Sequence, residues 1–197
     1  MAYKPIIFNT DMVKAILEGR KTQTRRLCKG YGECNPVQIG YLPPFNPGDI
    51  LWVREACHKD AGRYMYRANY SENEKFYRNG REVIIRWESP VRMPKEAARI
   101  FLLVKDVRVE RLRDIGNADA IAEGFSGTPC HHECADPVLG CTDCLNTGWL
   151  EPPLAEFAQL WDSTIKPADR EQYGWNANPW LWVIEFERCG KPDGGTK

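Results

Sequence analysis

The sequence predicts an α+β domain built on a small mixed or antiparallel β-barrel, and three observations lead there. Apolar or alternating runs of strand length are many, while the helical patterns are few and short. Gly- and Pro-rich stretches of turn composition separate them. No GxGxxG, P-loop or nucleophile elbow is present, so dinucleotide binding, phosphoryl transfer and α/β-hydrolase chemistry have no motif behind them.

Taken in order, Ile6, Ile7 and Phe8 predict a buried strand, after which Asn9 or Thr10 caps a helix. Met12, Val13, Ile16 and Leu17 recur at helical spacing and Gly19 stops the pattern, giving a helix over 10–18. Gly19 to Arg26, GRKTQTRR, then reads as a loop of four cations and two Thr hydroxyls. Residues 28–48 read as a Gly/Pro-rich loop closed by the Pro47-Gly48-Asp49 turn before a buried strand, Ile50 to Val53. Weaker strands follow at Arg63 to Arg67 and at Val83 to Trp87. Ile100 to Leu112 reads as one long strand or two with a bend; Val107, Val109 and Leu112 interleave with Arg108, Glu110 and Arg111, the mark of one wet face.

Asn117 is positioned to cap a short helix that ends at Glu123-Gly124. A carboxylate in a last helical turn opposes the helix dipole at a cost of a few tenths to about 1 kcal/mol, so Glu123 calls for a cationic partner elsewhere in the fold. Leu154, Phe157, Ala158 and Trp161 predict a second amphipathic helix, and Trp180 to Phe186 a closing strand. This gives one domain over 1–187, a Cys-rich insertion over 126–151 and a loose tail over 188–197.

The 27 cations and 27 anions cancel overall, but not locally. Residues 1–115 carry 22 Lys/Arg and 14 Asp/Glu, a balance of +8, and residues 116–197 carry 5 and 13, a balance of −8. The first part is a candidate polyanion surface or a mixed solvated face. No apolar run approaches the roughly 18 residues of a membrane span, and MAYKPIIF lacks the features of a leader, so a cytoplasmic protein with no membrane partner is expected.

Four of the eight cysteines, Cys130, Cys134, Cys141 and Cys144, fall in a C-x3-C-x6-C-x2-C spacing. Two close pairs joined by a short loop can converge as thiolates on one structural Zn and so fold a segment poor in apolar residues, with His131 or His132 able to replace one Cys. Disulfides or buried thiols are the competing readings. Four protein ligands leave no open position, which argues against a catalytic metal. Cys28, Cys34, Cys57 and Cys189 lack such spacing and read as free thiols. No organic cofactor is expected.

Four ordered segments carry a family resemblance: Gly19-Arg20-Lys21-Thr22-Gln23-Thr24-Arg25, Pro47 to Val53, Asp119 to Phe125, and Trp180 to Phe186. Together they resemble the ASCH domain of the PUA-like superfamily across nearly the whole chain. The stretch Trp87 to Pro94 and the closing NPWLWVIEFE are similar to its phage and prophage branch. The resemblance implies a small β-barrel with flanking helices and a cleft for RNA or a modified nucleoside. A bacterial enzyme of this family, N(4)-acetylcytidine amidohydrolase, uses a Lys and a Thr of this same motif with a distant Glu, which implies Lys21, Thr24 and Glu123 here.

Those residue types can divide the work of hydrolysing an acyl amide. Thr24 supplies a nucleophilic hydroxyl, Glu123 a general acid/base, and Lys21 a base whose pKa burial and Arg20, Arg25 and Arg26 would lower and Glu123 would raise. A non-catalytic nucleic-acid-binding module uses the same surface differently. Arg20, Arg25, Arg26, Arg86, Arg92, Lys95 and Arg99 would meet phosphate, and Trp52, Tyr64, Tyr66 or Trp87 would stack on bases. A ribonuclease, as in another branch of the family, is a third reading, without a pair of catalytic histidines to support it.

Overall fold

In the computed structural model, residues 1–29, 36–38, 40–130 and 147–191 are described. The chain divides into two compact units: Met1–Gly19, Phe45–Asp106 and Phe186–Lys197 form one, and Arg20–Pro44 with Val107–Glu185 form the other.

The strands and helices run β1 (Tyr3–Ile7), α1 (Thr10–Leu17), β2 (Gln23–Leu27), β3 (Ile50–Arg54), β4 (Cys57–Asp60), β5 (Arg63–Tyr66), β6 (Phe76–Arg78), β7 (Arg81–Val83), β8 (Phe101–Arg111), α2 (Asn117–Ala122), β9 (Thr128–Pro129), β10 (Trp149–Glu151), α3 (Pro153–Thr164), α4 (Arg170–Tyr173) and β11 (Trp180–Cys189). Five strands form a mixed sheet in the order β1-β3-β8-β11-β2. β1 pairs parallel to β3, β3 pairs antiparallel to β8, and β2 pairs antiparallel to β11.

The α+β class holds, and the closed barrel does not. Closure requires the two edge strands to pair, whereas β1 and β2 remain the edges among the described residues. The strands that a barrel would need turn back on themselves instead, as the separate hairpins β4–β5 and β6–β7.

In the first unit, Asn9 caps α1 by accepting the Met12 N–H at 2.8 Å, and the helix buries Val13, Ala15 and Ile16. A second apolar cluster gathers Ile50, Cys57, Met93, Ala97, Ala98 and Phe101. The strand expected at Val83 to Trp87 stops at Val83, and Ile84 is 92% exposed. Among the described residues the ladder with β6 ends at Val83, and only Trp87 of the remaining stretch finds aromatic partners, Tyr70 and Phe76.

In the second unit, Leu112, Ile115, Ala120, Phe157 and Leu181 form the core, with Phe125, Trp161 and Trp175 packed against it. Phe157 makes an edge-on contact with Phe125 at 5.6 Å between centroids and a stacked one with Trp161 at 6.1 Å. Ala120, fully buried, fixes α2 on this core. Gly116, not Asn117, is the N-cap of α2; the Asn117 side chain instead accepts the Leu154 N–H at 3.2 Å, tying α2 to α3.

Two ends of the sequence reading also move. Residues 23–26 of the expected basic loop belong to the edge strand β2, and β11 runs on to Cys189 into the expected tail. The charged side chains of β2 hid its strand character, since its burial against carboxylates is invisible to a hydropathy pattern. The β9–β10 ladder flanks residues 131–146 in the sequence, with the Cys130 N–H bonded to Gly148 O at 3.0 Å. Gly127 at its base has φ +64°, and a Cβ there would stand 2.7 Å from Pro153 Cδ and 2.8 Å from Glu151 O, so no other residue fits. Cys134, Cys141 and Cys144, with His131 and His132, lie outside the described residues.

Candidate functional site

Glu123 ends α2, and the way the helix ends builds the site. Gly124, at φ +101°, donates its N–H to Ile121 O, and the Phe125 N–H reaches Ala120 O. This paired closure leaves Phe125 against the core. Three carbonyls at the end of the helix remain, and the segment before β2 takes all of them. The Thr22 N–H donates to Ala122 O at 2.8 Å, Lys21 Nζ to Glu123 O at 2.8 Å, and Arg20 Nη1 to Gly124 O at 2.6 Å.

Lys21 Nζ also lies 2.7 Å from Glu123 Oε2, and Arg25 Nη1 lies 3.3 Å from Oε1. These are the cationic partners that a carboxylate at a helix C-terminus calls for. Lys21 is 3% exposed and Glu123 4%. Burial lowers the Lys21 pKa; Glu123 opposes that, and Arg26 and Arg25 add to it, with a net shift downward. Arg26 is likewise lowered by burial against a raising contribution from Glu123.

Asp119 and Glu123 stand four residues apart and so share one face of α2. Arg25 joins both: its Nη2 is 3.4 Å from Asp119 Oδ2 and 3.1 Å from Glu110 Oε2. Gln23 donates to the Asp119 side chain and backbone, both at 3.0 Å. Arg108 extends the network from Glu110, at 2.5 Å, to Glu185. The result is a chain of alternating charge from Glu185 through Arg108, Glu110, Arg25 and Glu123 to Lys21.

The structure thus draws Lys21 and Glu123 together across 102 residues of sequence. Thr24 is buried, and among the described residues the side-chain hydrogen bonds of Lys21 and Glu123 run to each other and to Arg25 rather than to Thr24. Gln23 and Arg25 turn to α2, so strand alternation puts Thr24 and Arg26 on the opposite face of β2. Of the expected phosphate contacts in this unit, Arg25 is enclosed by three carboxylates, whereas Arg20 stays exposed beside Gly124.

Trp52, Arg86, Trp87, Arg92 and Arg99 belong to the first unit. Arg99 is held internally by a bidentate pair with Glu55 at 2.8 Å per bond, a bond to Asn69 and a stack over Tyr66 at 4.0 Å. Trp52 is half-buried under Arg54, and Trp87 packs on Tyr70 and Phe76. Arg86 and Arg92 are exposed.

Glu110, Asp119, Gln23, Arg108, Glu185 and the buried Glu55 escaped the sequence reading. The i, i+4 spacing of Asp119 and Glu123 and the i, i+2 spacing of Arg108 and Glu110 were the available signals, yet both patterns look the same on a solvated face. Cys28, Cys57 and Cys189 carry no disulfide, and burial pushes the Cys28 thiol up to about 12 and raises the other two, which keeps them protonated and inert. Among the described residues no group of three or more His, Cys, Asp or Glu side chains is placed to hold a metal, and no helix is long and apolar enough to cross a membrane.

No protein-family model matches the chain, and no curated protein does. Two solved structures are similar to it. One of them is an ASCH domain. That structure, from Lactobacillus crispatus JV V101, is 13% identical, with 95% of this chain and 79% of that chain covered and a TM-score of 0.46. The other, hypothetical protein PH0355, is 12% identical over 96% of this chain and all of that chain, with a TM-score of 0.41.

Proposed function

We propose that this chain is an ASCH-type amidohydrolase that removes the acyl group from N(4)-acetylcytidine or a close relative, with Lys21, Glu123 and Thr24 as its reacting residues. The buried pair of Lys21 and Glu123 carries the reading. A lysine sealed from water with its pKa lowered is a proton acceptor in waiting, and a carboxylate at 2.7 Å gives the proton somewhere to go. The motif that suggested Lys21 and the helix end that suggested Glu123 are independent, and they meet.

The balance of the reaction is simple. The Thr24 hydroxyl adds to the acyl carbon, its proton passes by way of a bridging water to the Lys21–Glu123 pair, since no described hydrogen bond joins them directly, and the C–N bond breaks as that proton returns to the cytosine amine. Water then cleaves the acyl-threonine ester, giving a carboxylic acid and restoring the hydroxyl. Arg25 holds Glu123 in place for both halves.

The experiment is incubation with N(4)-acetylcytidine and chromatographic detection of cytidine. Lys21→Ala risks the fold, so Thr24→Val accompanies it: that change keeps the side-chain shape and breaks no hydrogen bond among the described residues. Cytidine release by the wild type that Thr24→Val abolishes, at unchanged melting temperature, supports the reading. A wild-type protein that releases none overturns it.

A second reading, recognition of RNA without turnover, draws on the exposed Arg86 and Arg92 of the first unit. It expects RNA affinity that falls steeply with salt, and a slope reduced by about one for each arginine replaced by alanine. Arg25 and Arg99 are outside that set, because carboxylates already hold them.

A further inference from the structure

In the pairing of β2 with β11, Trp182 lies opposite Arg26 and Ile184 opposite Thr24. Residues directly opposite across a ladder share a face, as do residues two apart on one strand. Thr24, Arg26, Trp182 and Ile184 therefore lie on one face of this ribbon, opposite Gln23 and Arg25, where Arg26 still feels the charge of Glu123. Trp182 is 4% exposed, and its indole N–H has no acceptor among the described residues. Tyr41 packs against the ring at 6.1 Å between centroids, tilted by 39°, and helps to fix it.

A donor buried without an acceptor is a standing cost to a fold, and a ligand that supplies the acceptor explains why it is kept. We infer that the Trp182 indole N–H binds a carbonyl oxygen of the nucleobase substrate on the Thr24 face of β2 and β11. The substrate's identity rests on the hydrolase reading; the placement rests on the ladder alone. An indole N–H only donates, so it selects an acceptor such as the 2-oxo group of a pyrimidine or the carbonyl of the acyl group. Thr24 and Trp182 are diagonal neighbours across the ladder, a separation of roughly 7–8 Å between backbones that long side chains narrow. A pyrimidine with its 2-oxo group at Trp182 turns its 4-substituent toward Thr24, which favours the ring carbonyl.

Trp182→Phe keeps a ring and deletes the donor. The expected result is an unchanged or raised melting temperature, since no described bond is lost, with kcat/KM for N(4)-acetylcytidine lowered about tenfold through KM. In the same experiment, the indole N–H resonance of wild-type Trp182, identified by its absence from the variant, is titrated with N(4)-acetylcytidine and with cytidine. A downfield shift with both supports the ring carbonyl as acceptor. A shift with the acylated nucleoside alone supports the acyl carbonyl, and the loss then falls on kcat. A shift in a wild-type protein that releases no cytidine sinks the hydrolase reading and leaves the donor standing. A variant equal to wild type in kcat/KM overturns the inference, and so does an unmoved resonance where the wild type turns nothing over.

Discussion

Lys21 grips Glu123 twice, once by the side-chain carboxylate at 2.7 Å and once by the backbone carbonyl at 2.8 Å. One ammonium group thereby satisfies an orphan carbonyl at the end of α2 and neutralises the carboxylate that the helix dipole disfavours there.

Removing Glu123 therefore leaves two buried cations facing each other, Lys21 and Arg25. Breaking one side of a buried pair typically costs about 3–5 kcal/mol, so Glu123→Ala should lower the free energy of unfolding by an amount in that range, read from urea melts. Glu123→Gln keeps one acceptor oxygen, enough for Lys21 or Arg25 but not both, and should cost less than removing the side chain. Equal and small losses for the two variants would mean that water reaches the pair.

The pH behaviour of Lys21 follows from its lowered pKa. In the folded protein it releases its proton at a pH below 10.5, while in the unfolded chain it keeps it up to that value. Across that window the unfolded state binds more protons, so the contribution of Lys21 to stability rises with pH and levels off above 10.5. Where kcat/KM depends on the neutral amine, it climbs along a limb centred below 10.5. Glu123 raises this pKa, so Glu123→Gln should move the limb to lower pH, read from a pH–rate profile. A limb that stays put would separate the two residues electrostatically.

How far the sequence led to this site depends on what each residue touches. The helix ends at Gly19 and Gly124 were legible because a left-handed glycine leaves a mark in one residue. The need of Glu123 for a cation was legible from dipole electrostatics alone, and the motif pointed to Lys21. β2 reads as a loop because Gln23, Arg25 and Arg26 break the apolar alternation that announces a strand, and the partners of Gln23 and Arg25 sit 85 to 98 residues away. Trp182 looked like one more core aromatic, since only the structure shows that its N–H lacks an acceptor.

Asp49 makes a test independent of the site. Its carboxylate accepts the Ala2 N–H at 2.9 Å and the Asn46 N–H at 3.1 Å and pairs with Lys4 at 2.9 Å. The Lys4 bond is the largest cause of a pKa held down to about 2, against 3.8 ordinarily. Its stabilisation is present above pH 3.8 and is lost as pH falls toward 2, about 2 kcal/mol in all. Asp49→Asn should flatten that part of the acid unfolding profile while lowering stability at pH 7. An unchanged acid slope would show that Lys4 and the turn at Asn46 do not depend on the charge.

The cysteine spacing carries the last prediction. Cys130 follows β9 directly at the end of the β9–β10 ladder, and Cys134, Cys141 and Cys144 fall between the two strands in the sequence. If its four thiolates bind Zn, the protein purified without chelator should hold close to one Zn per chain. Cys141→Ser should release it at higher pH than wild type, because thiolate binding competes with protonation. The ladder and Gly127 are fixed by Pro153 and Glu151 whether or not a metal is bound, so metal removal should open the insertion to protease and leave the aromatic core around Phe157 intact. A protein free of Zn whose insertion resists protease to the same extent would favour disulfides or buried thiols, and titration of free thiols before and after reduction then separates those two.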